Sequence, residues 1–188
     1  NIDAIYNKKK INENDIKNII SEVKKEKISG ANVTVPFKKS VIPFLDELSP
    51  EADETQSVNT IYMENKKLIG HNTDIAGFEL GIRHSKHKVK NKKIFILGAG
   101  GVVPSIIVSL KKMEAGKIVL CNRTKQKAFD LKKHFNNIPV FDETVAAADL
   151  ATLKNDGDAW AQIGAVGWGD RDSGRAAIAP IYGQQRPF

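Results

Sequence analysis

Three short clusters of polar residues, each flanked by apolar runs, carry the groups that could do chemistry in this chain. They are Asn32-Val33-Thr34-Val35-Pro36-Phe37-Lys38, Ser57-Val58-Asn59-Thr60 and Gly70-His71-Asn72-Thr73-Asp74. Each falls at the end of an expected strand or the start of an expected helix, from which several side chains can converge on one cleft. A lysine and an aspartate in such a cleft form a pair that manages a proton, which makes Lys38 and Asp74 candidates for acid–base work. Taken singly, each has a structural reading too: Thr34 as a strand residue, Lys38 as a solvated helix side chain, Asp74 as part of a helix start.

A fourth cluster, Gly98-Ala99-Gly100-Gly101-Val102, lies between an apolar strand and a helix. Glycines there let the backbone turn tightly and approach a pyrophosphate, while the helix N-terminus offers unpaired N–H groups and the positive end of its dipole. Strand-to-helix turns also use glycine for steric reasons alone, so the assignment rests on the strand–helix–strand context. The next strand sharpens it. A carboxylate at its end would accept from a ribose 2′-OH; instead the chain reads Cys121-Asn122-Arg123-Thr124, followed by Lys125 and Lys127. Arginine and lysine there pair with a 2′-phosphate, so NADP is expected rather than NAD. The alternative is a basic helix N-terminus on the surface, which the helix dipole disfavours.

The elements that must position these groups follow from periodicity. Asn14 to Lys27 places Ile16, Ile19, Ile20 and Val23 at helical spacing, and Ala31 to Val35 reads as a short buried strand. Pro36 suits the first turn of a helix bearing Val41, Ile42, Phe44 and Leu45. Ser57 to Met63 and Lys67 to Ile69 read as two strands joined at Glu64–Asn65, and Thr73 is placed to cap a helix from Asp74 to about His84. His84 to Lys93 reads as a solvated basic linker. Beyond it come strand Lys93–Leu97, helix Val102–Lys112, strand Lys117–Cys121, helix Thr124–Phe135 and a third strand at Pro139–Phe141. That order predicts an α/β fold with a parallel sheet and helical crossovers.

Bulk properties narrow the class. The chain has 188 residues, a formal net charge of +7 and 27% charged residues, which are globular values. The lysines are scattered through several elements, with no stripe interleaved with aromatics. A nucleic-acid partner is therefore not expected, and a mildly positive field suits a dinucleotide phosphate and an anionic substrate. Cys121 is the single cysteine, which excludes an internal disulfide, fits a reducing compartment and reads as a small buried thiol at a strand end. No apolar run reaches membrane-spanning length, and His71, His84, His87 and His134 lack metal-ligand spacing, so neither membrane nor metal is expected. The chain opens at Asn1 without methionine, and an upstream segment is expected.

In this order and context, the three upstream clusters, the glycine turn and Asn122-Arg123-Thr124 resemble the motif series of shikimate dehydrogenases, from about Ile16 to Phe141. The resemblance implies a substrate-binding α/β domain followed by a partial Rossmann-type NADP-binding domain, with the active site between them. It implies a cytoplasmic enzyme of aromatic amino acid biosynthesis, through the shikimate pathway to chorismate, that reduces 3-dehydroshikimate to shikimate with NADPH. Lys38 and Asp74 match the catalytic pair, and Thr34, Asn59 and Asn72 match substrate-side positions. Gly98, Ala99, Gly100, Gly101 and Val102 match the pyrophosphate turn, and Asn122, Arg123, Thr124 and Lys127 the adenosine-phosphate site. Lys127 stands where arginine is common, which keeps the charge but loses the bidentate fork. A homodimer is compatible with the family. The alternatives are a quinate/shikimate dehydrogenase with relaxed cofactor use and an inactive nucleotide-binding fragment.

The expected division is residues 1–88 for the substrate domain, 89–143 for the first half of the nucleotide domain and 144–188 for an unassigned tail. The family's first strand and its serine-bearing carboxylate loop precede Asn1. After Thr144, lysine gives way to alanine, glycine and arginine, and no further apolar strand is legible. A join to foreign sequence and a divergent ending both account for this.

Overall fold

A computed structural model describes residues 5–122 and 124–136, together with the strands Ala161–Gly164 and Pro180–Ile181. The first amphipathic stretch becomes α1, Ile16–Lys24, with Ile16, Ile20 and Val23 buried. It is entered through a 3-10 turn at Glu13–Asp15 that Asn12 and Asp15 cap reciprocally. The first strand, β1, is Gly30–Asn32.

The expected helix after Pro36 does not form. Residues 35–41 make a series of turns, followed by a short 3-10 turn at Ile42–Phe44. Pro43 is the physical reason: within an α-helix it would lack a donor and clash with the carbonyl four residues back. Two elements here were not legible in the sequence. Strand β2 has only two residues, Glu47–Leu48, and α2, Pro50–Thr55, only six. The Ser49 side chain caps α2 by accepting from Ala52 N–H, with Pro50 and Glu51 in the first turn.

Strands β3 (Thr60–Glu64) and β4 (Lys67–His71) form an antiparallel hairpin. Asn65 and Lys66 both carry positive φ, 50° and 63°, as a two-residue turn matched to strand twist requires. The sheet order is β1-β3-β4-β2, with β2 parallel to β4. Helix α3 runs Asp74–His84 as expected. The following basic stretch is not wholly solvated, because Val89 is buried and Lys90 bridges to Ala115.

Strand β5 (Lys93–Leu97), helix α4 (Val103–Lys112), strand β6 (Lys117–Cys121) and helix α5 (Lys125–Phe135) follow, with β5 and β6 parallel and in register. The expected strand Pro139–Phe141 lies outside the described residues. The tail does supply sheet structure, which corrects the reading that no strand follows Thr144. Strand β7, Ala161–Gly164, pairs parallel with β5, and β8, Pro180–Ile181, pairs antiparallel with β7, giving the order β6-β5-β7-β8. The sequence Ala-Gln-Ile-Gly has a single β-branched residue and so gives little strand signal of its own. Cys121 is only partly buried, not enclosed as expected.

Two hydrophobic cores result. One gathers α1, Val41, Val58, Ile61 and Leu68; the other gathers β5, β6, α4 and α5. Helix α3 sides with the second core through Ile75, Phe78 and Ile82, although its residues precede the expected boundary at 88/89.

Candidate functional site

The N-terminus of α3 is where the two cores meet, and Asp74 is its first residue. One carboxylate oxygen of Asp74 accepts from Lys38 Nζ at 2.6 Å, the other from Asn59 Nδ2 at 2.9 Å. Lys38 reaches this point from the turns before Val41, and its own carbonyl accepts from Val58 N–H at 2.9 Å, which ties those turns to the approach of β3. The two charged side chains remain 13% and 23% exposed. The pair is therefore shielded enough for its charges to be felt strongly and open enough to meet a ligand.

Asn59 is the organiser of this corner. It is 8% exposed, and its Nδ2 also donates to Thr73 Oγ1 at 2.9 Å. Its Oδ1 accepts from Thr73 N–H and from the Thr60 hydroxyl, each at 3.0 Å. Thr73 is thereby diverted from the expected role: its side chain makes no capping bond. The cap is supplied by Asn72, whose Oδ1 accepts from Asp74 N–H at 2.9 Å. Thr34 is exposed at the start of the Lys38 turns, its carbonyl accepting from Phe37 N–H.

Asn72 corrects its assignment as a substrate contact. It is 1% exposed, and its Nδ2 lies within 2.8 Å of Ser57 O, 3.0 Å of Ser105 Oγ and 3.1 Å of Thr55 Oγ1. With Oδ1 on Asp74 N–H as well, no polar atom is left to face a ligand. Ser105 belongs to none of the polar clusters marked out in the sequence. The available signal for Ser105 was the pair Ser105 and Ser109, four apart in the otherwise apolar run Val103–Leu110.

The glycine turn stands beside this corner. Gly98 has φ 113° and donates its N–H to Cys121 O at 2.7 Å, so a side chain there would be strained. Gly101 lies against the Lys38 turns, where a Cβ on it would make ordinary contact with the Val35 side chain at 3.4 Å. Ala99 N–H donates to Asn122 Oδ1 at 3.2 Å, and Asn122 Nδ2 donates to Thr124 O at 2.8 Å. Asn122 thus holds the turn against the β6–α5 connection. At the start of α4, Val102 provides no side-chain cap and Pro104 has no N–H to satisfy. A left-handed glycine and a helix start capped by no side chain fit the pyrophosphate of a dinucleotide.

Thr124 and Lys127 are exposed at the start of α5, at the C-terminal edge of β6, where the adenosine end of such a ligand belongs. Arg123 lies outside the described residues. No group of three or more His, Cys, Asp or Glu side chains suited to a metal ion occurs among the described residues. No helix of the described residues is long and apolar enough to cross a membrane.

Comparison with known proteins agrees with the motif series. Residues 1–61 match the model for the shikimate dehydrogenase substrate-binding domain, and residues 81–156 match that for shikimate/quinate 5-dehydrogenase. The second match runs past the change in composition at Thr144. The NADP(+)-dependent shikimate dehydrogenase of Pelagibacter ubique is 50% identical over 163 residues, covering 82% of this chain and 62% of that protein. The crystal structure of shikimate dehydrogenase from Aquifex aeolicus superposes with a TM-score of 0.65 at 41% identity, over 71% of this chain and 49% of that one. The Thermus thermophilus enzyme in complex with NADP(H) and shikimate gives a TM-score of 0.63 at 26% identity, over 78% and 51%. The chain thus spans between about half and about three-fifths of the relatives it matches. By sequence, by fold and by the order of its motifs, the chain belongs to the shikimate dehydrogenase family.

Proposed function

We propose that the chain carries the proton-transfer and nucleotide-binding parts of an NADP-dependent oxidoreductase that interconverts 3-dehydroshikimate and shikimate. The observation that carries this reading is the Lys38–Asp74 pair at 2.6 Å, with the glycine turn packed beside the turns that bear Lys38. Lys38 donates a proton to the carbonyl oxygen of 3-dehydroshikimate, turning C=O into CH–OH, and recovers it in the reverse direction. NADPH, when held by the glycine turn, would supply the hydride for the carbonyl carbon, so that one hydride and one proton account for the reduction. Asp74 keeps the Lys38 ammonium oriented and accepts from a substrate hydroxyl. Asn59 fixes the Asp74 carboxylate with both its polar atoms engaged inside the protein, and the exposed Thr34 lines the ring-hydroxyl side.

Residues 98–102 hold the pyrophosphate, and Asn122, Arg123, Thr124 and Lys127 form the 2′-phosphate side, with Asn122 acting through the glycine turn. Asn72 is a positioning residue in this scheme. The division into a substrate domain over 1–88, a nucleotide half-domain over 89–143 and a separate tail over 144–188 belongs to the same proposal. So do a cytoplasmic setting and a homodimer.

Mixing the chain with shikimate and NADP⁺, with NAD⁺ and quinate as parallel partners, tests the reading. A shikimate-dependent rise in NADPH absorbance that Lys38→Ala abolishes is expected. The alternative reading is a nucleotide-binding fragment without turnover. NADP⁺ binding with no rise would select it.

A further inference from the structure

Asp74 is served from both cores. Its carboxylate belongs to the first, through Lys38 and Asn59. Its backbone belongs to the second, through the residues on either side of it. Asn72, two residues before, meets Ser105 Oγ at 3.0 Å, while Ile75, one residue after, has its carbonyl 3.1 Å from Ser109 Oγ. Ser105 and Ser109 lie one turn apart on α4, and both are fully buried. Ser105 is the third residue of α4, in the same first turn whose backbone faces the glycine turn. Two helix N-termini are therefore joined at one buried point: that of α3, which bears Asp74, and that of α4.

Buried hydroxyl and amide groups cost stability unless partnered, and a fully partnered buried network admits few arrangements. The Ser105 hydroxyl is fully buried and meets Asn72 across the gap between helices, so α4 cannot shift relative to Asp74 without stranding that hydroxyl, while Asn72 keeps Ser57 O, Thr55 Oγ1 and Asp74 N–H.

We infer that the Asn72–Ser105 contact is a positioning device, fixing the Lys38–Asp74 pair relative to the nucleotide-binding turn. It rests on the reading of that pair as the proton-transfer site. Ser105 touches neither Lys38 nor Asp74 and acts on them through Asn72. Loss of its hydroxyl cuts the bond that ties Asn72 to α4, lets the Asp74 N-terminus of α3 loosen against α4, and exposes Lys38.

The test is competitive acylation of lysines in the whole chain without ligand, read by mass spectrometry as the labelling of Lys38 relative to Lys24. Lys24 pairs with Asp46 far from α4 and serves as the internal reference. Asp74→Asn calibrates the response of Lys38 to loss of its partner. Ser105→Ala is expected to raise the ratio about three- to tenfold, and Ser105→Thr, which keeps the hydroxyl, to restore it. Ser109→Ala removes an equally buried hydroxyl that does not touch Asn72, and should leave the ratio within about twofold of wild type while lowering Tm to a similar degree. Should Ser105→Ala not fold, Ser105→Cys, with a weaker donor, is expected to give an intermediate ratio. A wild-type ratio in Ser105→Ala or Ser105→Cys overturns the inference, as does an equal rise in Ser109→Ala. NADP⁺ titration by calorimetry is run separately. Absence of binding there counts against the functional reading and leaves the labelling ratio to judge the positioning role.

Discussion

Around Asp74 the chain is held in place by side chains, whereas at the glycine turn it is held by its own backbone. Lys38, Asn59, Thr73 and Asp74 fix one another through ammonium, amide, hydroxyl and carboxylate groups drawn from three separate segments. The turn at residues 98–101 depends chiefly on the left-handed φ of Gly98, its N–H on Cys121 O, and Val103 N–H on Gly100 O at 3.0 Å; the Asn122 side chain reaches in at Ala99 N–H, and the Ser57 hydroxyl makes a long bond of 3.5 Å to Gly101 O. The two designs fail in different ways. A side-chain network is broken by an isosteric change of chemistry that leaves the fold alone. A backbone cradle is broken by adding atoms, whatever their chemistry.

The largest effect should come from the first design. Lys38→Ala is expected to lower shikimate-dependent NADP⁺ reduction by about 10³-fold, within the usual range for losing a general acid. Its NADP⁺ affinity should stay within about twofold of wild type, measured by titration. An affinity that fell as far as the turnover would erase the distinction between the two regions. Asp74→Asn, which keeps the shape but not the charge, should cost about 10²-fold in the same assay.

Next come the cores beneath the two designs. Ile61 and Ile107 are 1% and 0% exposed, one in each core. Replacing either by alanine should lower stability by about 2–5 kcal/mol in denaturant unfolding. Because Ser105 and Ser109 bond across to Asn72 and Ile75, both variants should shift one common transition. Two separate transitions, each sensitive to one variant, would show that the cores unfold independently. Gly98→Ala should then cost about 1–3 kcal/mol through its φ of 113°, and lower NADP⁺ affinity about tenfold, with Lys38 still paired.

The same contrast explains what the sequence made legible. Apolar spacing announced α1, and the alternation of apolar runs announced β5, α4, β6 and α5, whereas α3 was expected from a cap at Thr73 that Asn72 supplies instead. The turns after Pro36 were misread as a helix because Val41, Ile42, Phe44 and Leu45 have helical spacing while Pro43 forbids the hydrogen bonding. Helix α2 escaped because six residues, Pro-Glu-Ala-Asp-Glu-Thr, present no periodic face, although Ser49-Pro50-Glu51 is a start signal. Lys38 and Asp74 were legible as residue types. Their pairing follows from the order of the motifs and the resemblance they carry, whereas the direct 2.6 Å contact across 36 residues depends on how α3 packs. Asn72 is closed in by Thr55, Ser57 and Ser105, residues 15 to 33 positions away that no local pattern joins to it. The fold of the tail rests on pairing with β5 and has no local pattern to announce it.

The smallest predicted effect concerns a carboxylate remote from both designs, and it sharpens the comparison by showing what a side chain does when it completes a backbone ladder. Asp46 extends the β2–β4 pairing by one step. Its N–H donates to Leu68 O at 2.9 Å, and its Oδ2 accepts from Leu68 N–H at 2.8 Å. That backbone bond, and after it the bond from Lys24 Nζ, hold the Asp46 carboxyl below its ordinary pKa. The unfolded chain therefore binds this proton more readily than the folded one. The contribution is fully present above the ordinary aspartate range and disappears as pH falls through the lower folded value. The site faces solvent, so the effect should be modest and salt-dependent. Asp46→Asn should flatten the acid limb of the stability–pH curve while leaving the neutral plateau only slightly lower. Lys24→Ala should flatten it less, because the first cause, the Leu68 N–H, remains in place. If Lys24→Ala flattened the limb as much as Asp46→Asn did, the ion pair rather than the backbone bond would be the source. Asp46 would then belong with the side-chain network around Asp74, and not with the backbone-held half of the comparison.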